Sequence, residues 1–108
     1  MQLWKVEECV GVGANIINIS HGGPSHSKVT RDIYARIFDD NDILVVASAG
    51  NGGGGAYHGF WYPASYDGVM SVAAVDSGNN RAGFSQMNAK VEISAPGVEI
   101  KSTVPGNR

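Results

Sequence analysis

The run Ile43-Leu44-Val45-Val46-Ala47-Ser48-Ala49-Gly50-Asn51 is followed directly by four glycines, Gly52 to Gly55. Ile43 to Val46 is an unbroken aliphatic, largely β-branched stretch, too short for a helix, and reads as a strand buried on both faces. Its side chains then shrink through Ala47, Ser48, Ala49 and Gly50, and polar Asn51 arrives where the strand should end. Small residues let a second backbone approach, and glycine lets the chain turn sharply. In open parallel sheets ligands bind just beyond the carboxyl ends of strands, where Asn51 would stand. A strand entering a glycine loop, with Asn51 as a turn residue, fits the same letters.

Working outward, Ser27 to Asp40 predicts a helix. Ser25 or Ser27 can cap it, and Val29, Ile33 and Ile37, with Tyr34 and Phe38, form an apolar stripe. Asn41 is suited to the left-handed turn at its end. Before it, Ile16 to Ile19 reads as a strand that leaves through Ser20-His21-Gly22-Gly23-Pro24. Strand, helix and strand in this order make a βαβ unit with parallel strands. Leu3 to Val12 predicts a short helix with Leu3, Val6, Val10 and Trp4 inward. Past the glycines come an aromatic patch from Tyr57 to Pro63, a strand from Val69 to Val75, a short strand at Val91 to Ile93 and a fifth from Glu99 to Thr103. The expectation is a single α/β unit over 1–108 with a partial doubly wound, mostly parallel sheet and flanking helices.

At 108 residues the chain is of single-domain size. A net charge of −2 argues against a nucleic-acid partner. No apolar run approaches the roughly 20 residues of a membrane span. Cys9 has no second cysteine to pair with, and on an apolar stripe it reads as a small core residue. Gly50, Gly52 and Gly55 satisfy G-x-G-x-x-G, with Asp76 downstream, as a dinucleotide fingerprint would. That fingerprint needs a helix to start at the glycines, and the segment holding Gly59, Pro63 and Gly68 cannot form one. His21, His26, His58 and Cys9 lack the spacing of a zinc site.

Asn51 remains. Its amide offers two uncharged N–H donors, suited to an oxyanion that exists only in a transition state. Ser20 to Gly23 offers main-chain groups with little side-chain bulk, suited to receiving an extended peptide as an added strand.

Six pieces together resemble the subtilisin-like serine proteases, in that family's order and approximate spacing. They are Ile16 to Gly23, Val45 to Asn51, Tyr62 to Tyr66, Val72 to Asp76, Arg81 to Ser85 and Ser94 to Gly97, and the match runs from about Glu8 to Asn107. The resemblance implies an endopeptidase using a Ser-His-Asp triad, in which Asn51 corresponds to the oxyanion donor. Ser20, His21 and Gly22 correspond to the strand that pairs with substrate, and Ser48, Ala49 and Gly50 to the opposite wall of the specificity pocket. His21 stands where the family usually has leucine. Trp61 stands where many members have a glycine at the pocket floor, and it either points inward to make a shallow pocket or packs under the loop.

The resemblance further implies no required cofactor, and a weakly bound calcium or monovalent cation on the carbonyls of Ala64, Tyr66 and Val69. It implies a polypeptide substrate and secretion of the parent enzyme. The triad residues fall outside the matched motifs, so the chain is expected to be the middle of a catalytic domain whose remainder is its partner. An uncovered sheet edge would then favour self-association. The alternative is a non-catalytic α/β module that binds an extended peptide.

Overall fold

The computed structural model describes residues 3–53 and 59–106. Gly54 and Gly55 of the glycine run, Tyr57 of the aromatic patch and His58 lie outside them. The elements are α1 (Leu3–Gly11), β1 (Ile16–Ile19), α2 (Lys28–Asp39), β2 (Leu44–Ser48), β3 (Val69–Val75) and β4 (Val91–Pro96). The four strands form one sheet in the order β1-β2-β3-β4, every neighbouring pair parallel. The βαβ unit and the α/β class are as the sequence predicts.

The register explains the burial. Ile17 pairs with Val45, and Val45 with Val69, so these side chains share one face. Both helices cover that face: Val6 from α1 and Tyr34 and Ile37 from α2 join Ile17, Val45, Ala47 and Val69 in one core cluster. Cys9 packs at its margin, half-buried. The other face carries Leu44, Val46, Met70 and Val72, half-buried, with Ile16 and Ile93 exposed, and neither helix reaches it. The expectation of a strand buried on both faces therefore fails for β2, whose side chains alternate between buried and half-covered.

Helix α2 starts one residue later than expected, at the cap. Ser27 is extended, and its hydroxyl accepts the Thr30 N–H at 3.3 Å. The Tyr66 hydroxyl, 39 residues away in sequence, also accepts the Ser27 N–H at 3.0 Å and donates to the Ser27 carbonyl at 3.2 Å. Three expectations are corrected. Trp4, Val29 and Phe38 are exposed, because each apolar stripe is wider than the sheet face beneath it. The left-handed residue after α2 is Asp42, φ 56°, and not Asn41, since the Asp40 N–H still bonds the Arg36 carbonyl. Finally, Glu99 to Thr103 forms no strand; it runs past β4 with Ile100 exposed.

Candidate active site

Parallel strands deliver their carboxyl ends to one edge of the sheet, and there β1 releases Ser20 and β2 releases Ala49, Gly50 and Asn51. A groove of about 490 Å³ opens at this edge, with Ser20, Ser48, Ala49, Gly50 and Asn51 in its lining. Five of the residues singled out in the sequence are thus brought together. Asn51 is exposed, and no hydrogen bond from the described residues ties its side-chain amide. It lines the groove as an exposed residue, unlike a turn asparagine whose side chain bonds back to its own backbone.

His21 and Gly22 line a neighbouring cleft of about 280 Å³, with His26, Tyr62 and Tyr66. Its wall is fixed by backbone pairing: the Gly23 N–H donates to the Tyr62 carbonyl at 3.0 Å and the Tyr62 N–H to the Gly23 carbonyl at 2.8 Å. The strand exit Ser20–Gly23 is thereby stapled to the aromatic segment. A β-carbon on Gly22 would stand 2.9 Å from the Tyr62 carbonyl oxygen, so the close approach requires glycine. His26 meets the Tyr62 ring edge-on, centroids 5.1 Å apart.

Trp61 packs under the loop and is absent from the groove lining. Its indole lies 2.6 Å from where a β-carbon on Gly50 would stand, and 3.2 Å from one on Gly52. Ala64, Tyr66 and Val69 are buried in the core; the Tyr66 carbonyl accepts the Val69 N–H at 3.3 Å, and the buried Ser65 hydroxyl between Ala64 and Tyr66 has no partner among the described residues. No cluster of three or more His, Cys, Asp or Glu suited to a metal occurs among the described residues.

The sequence reading missed what holds the Asn51 turn. The Gln86 N–H donates to the Gly50 carbonyl at 2.9 Å, and the Gly53 N–H donates to the Phe84 carbonyl at 2.8 Å. Ser85 and Gln86 are buried, and the Arg81 guanidinium donates to the Ser85 and Ala82 carbonyls. The motif Arg81 to Ser85 is visible in the sequence, but backbone-to-backbone support leaves no side-chain pattern to read. Beyond β3, the Asn80 backbone N–H at 2.9 Å holds the Asp76 carboxyl below the usual range, helped by the Gly78 N–H and opposed by burial.

Comparison with known proteins agrees with this geometry. A family model described as the subtilase family matches residues 4–108. Subtilisin DY of Bacillus licheniformis is 41% identical over 95 residues, covering 88% of this chain and 35% of that protein. A thermostable alkaline protease of Halalkalibacterium halodurans is 44% identical over 103 residues, 95% of this chain and 27% of that one. Among solved structures, the psychrophilic subtilisin-like protease Apa1 of the Antarctic Pseudoalteromonas sp. AS-11 superposes with a TM-score of 0.82 at 42% identity, covering 90% of this chain and 22% of Apa1. The prenylagaramide maturation protease PagA gives a TM-score of 0.75 at 30% identity, over 85% of this chain and 34% of PagA. The chain therefore spans about a third or less of the length of these relatives. With the family model covering nearly every residue and the sheet edge arranged as described, this chain belongs to the subtilase family.

Proposed function

We propose that these residues supply the oxyanion donor and both substrate-binding walls of a serine endopeptidase whose Asp, His and Ser triad lies outside them. The exposed amide of Asn51, which no hydrogen bond ties among the described residues, stands at the carboxyl end of β2 in one groove with Ser20 and Ser48 to Gly50 and carries the reading. An extended polypeptide lies between Ser20–Gly22 and Ser48–Gly50 as an added strand, and its scissile carbonyl faces Asn51. When the nucleophilic serine attacks, charge grows on that carbonyl oxygen, and the Asn51 N–H donors stabilise it where the substrate carbonyl is held less well. The remainder of the protease domain is the partner that covers the sheet face the helices leave open. Without it, the apolar outer face and the β1 and β4 edges drive self-association. The carbonyls of Ala64, Tyr66 and Val69, with the Ser65 hydroxyl that has no partner among the described residues, would hold a weakly bound calcium or monovalent cation.

The test is a chimera in which residues 4–108 replace the corresponding stretch of subtilisin DY. Proteolysis should survive, and Asn51→Ala should lower kcat by about 10²–10³, the size established for the equivalent subtilisin donor. The isolated chain should give no covalent adduct with a fluorophosphonate. A stoichiometric adduct, or a chimera indifferent to Asn51→Ala, refutes the assignment. Tight binding of an extended peptide by the isolated chain, together with that indifference, would favour a non-catalytic peptide-binding module.

A further inference from the structure

We propose that Arg81 is a positioning residue for Asn51, acting through a backbone template formed by Phe84, Ser85 and Gln86. The inference rests on the oxyanion reading of Asn51. Among the described residues no hydrogen bond holds that exposed side chain, so its place depends on the backbone on either side. Both flanks of the turn are fixed to the same three residues: Gly50 through its carbonyl to the Gln86 N–H, and Gly53 through its N–H to the Phe84 carbonyl. Between these bonds the Ser85 carbonyl is pressed against Gly53, where a β-carbon would stand 1.9 Å from the oxygen.

The template is itself anchored. The Ser85 hydroxyl accepts the Ala74 N–H of β3 at 2.9 Å, the Ala82 N–H donates to the Ala74 carbonyl at 2.9 Å, and Arg81 bridges to Val75. The Ser85 N–H closes a turn on the Ala82 carbonyl at 2.9 Å. Across the open side of that turn the Arg81 guanidinium donates to both the Ala82 and the Ser85 carbonyls. A charged donor on two carbonyls is a strong brace, and the second carbonyl is the one that abuts Gly53. Donor placement matters sharply, since a misplacement of about 1 Å can lower turnover 10²-fold. Arg81 therefore adjusts the oxyanion donor through the Ser85 carbonyl and Gly53, its own hydrogen bonds going to Ala82 and Ser85.

The test compares Arg81→Met with Arg81→Lys. In the subtilisin DY chimera, Arg81→Met should lower kcat about ten-fold with KM nearly unchanged, and Arg81→Lys, which keeps a cationic donor, should recover part of the loss. In the 108-residue chain, amide hydrogen exchange at Gly53 and Gln86 should quicken about ten-fold in Arg81→Met, while Val45 and Val72 in the sheet keep their wild-type rates. Uniformly faster exchange would mean that Arg81 only stabilises the fold. Unchanged Gly53 exchange, or unchanged kcat where Asn51→Ala lowers it, would also overturn the inference. If Asn51→Ala itself leaves kcat untouched, the oxyanion reading fails and this inference falls with it.

Discussion

Gly53 is packed so closely against Ser85 that a β-carbon on it would stand 1.9 Å from the Ser85 carbonyl oxygen and 3.0 Å from an Arg81 guanidinium nitrogen. Neither obstacle can give easily, because the carbonyl belongs to a buried, hydrogen-bonded turn. Gly53→Ala should therefore break the bond to the Phe84 carbonyl and destabilise the chain by about 2–4 kcal/mol, the sum of an overpacking term and a lost hydrogen bond. Urea unfolding of the two proteins measures it. A loss under about 0.5 kcal/mol would show that the turn relaxes freely and that the template does not constrain Asn51.

The α2 cap depends on two side chains of different strength. Ser27→Ala removes only the bond to the Thr30 N–H and should cost about 1 kcal/mol. Tyr66→Phe removes both the acceptor for the Ser27 N–H and the donor to its carbonyl, so about 1–3 kcal/mol is expected. The mutations share Ser27 and should not add. Strict additivity in a double-mutant cycle would mean that Tyr66 does not hold the cap.

Much of this was legible in the sequence, for a physical reason. Ile43 to Asn51 combines an apolar run with shrinking side chains, and both features follow from the strand end they build. The centre of α2 was equally readable, because Tyr34 and Ile37 lie over β2. Its rim was not: Phe38 sits at the edge, its β-carbon 3.0 Å from where one on Gly68 would stand, with half its surface in solvent. Periodicity marks an apolar face but cannot say how much sheet lies beneath it. The one-sided burial of β2 was misread because an aliphatic strand looks the same whether its second face is covered or not. Gln86 is wholly buried in a loop, with its side-chain nitrogen donating to the Gly59 carbonyl at 2.7 Å, and nothing in its neighbours announces it.

Stability should fall at both ends of the pH range, through different groups. Burial, with a smaller contribution from Tyr66, raises the Tyr34 phenol far above its ordinary value of 10.0. A raised folded-state value means that its contribution is complete below pH 10.0 and is lost as the pH climbs beyond it. Asp76 behaves oppositely: the Asn80 N–H lowers it below 3.8, so its contribution is present above that pH and is lost as the pH falls through the folded value. Thermal melts from acid to alkali should show Tyr34→Phe with a weakened alkaline limb and Asp76→Ala with a weakened acid limb. Limbs unchanged by these substitutions would assign the pH dependence to other groups.

Trp61 gives the sharpest separation between volume and polarity. Its indole supports Gly50 and Gly52 from below, but its Nε1 is buried with no acceptor among the described residues. Trp61→Phe keeps most of the supporting ring and removes an N–H without a partner, so the smaller ring's cost is offset and the net change should stay within about 1 kcal/mol. Trp61→Ala removes the support itself and should cost about 2–4 kcal/mol, while letting the Gly50 to Gly53 turn settle downward. In the chimera that settling should lower kcat for Trp61→Ala and leave Trp61→Phe near wild type. If Trp61→Phe is instead as damaging as Trp61→Ala, the indole nitrogen must have an essential partner, and Trp61 is more than a platform beneath the turn.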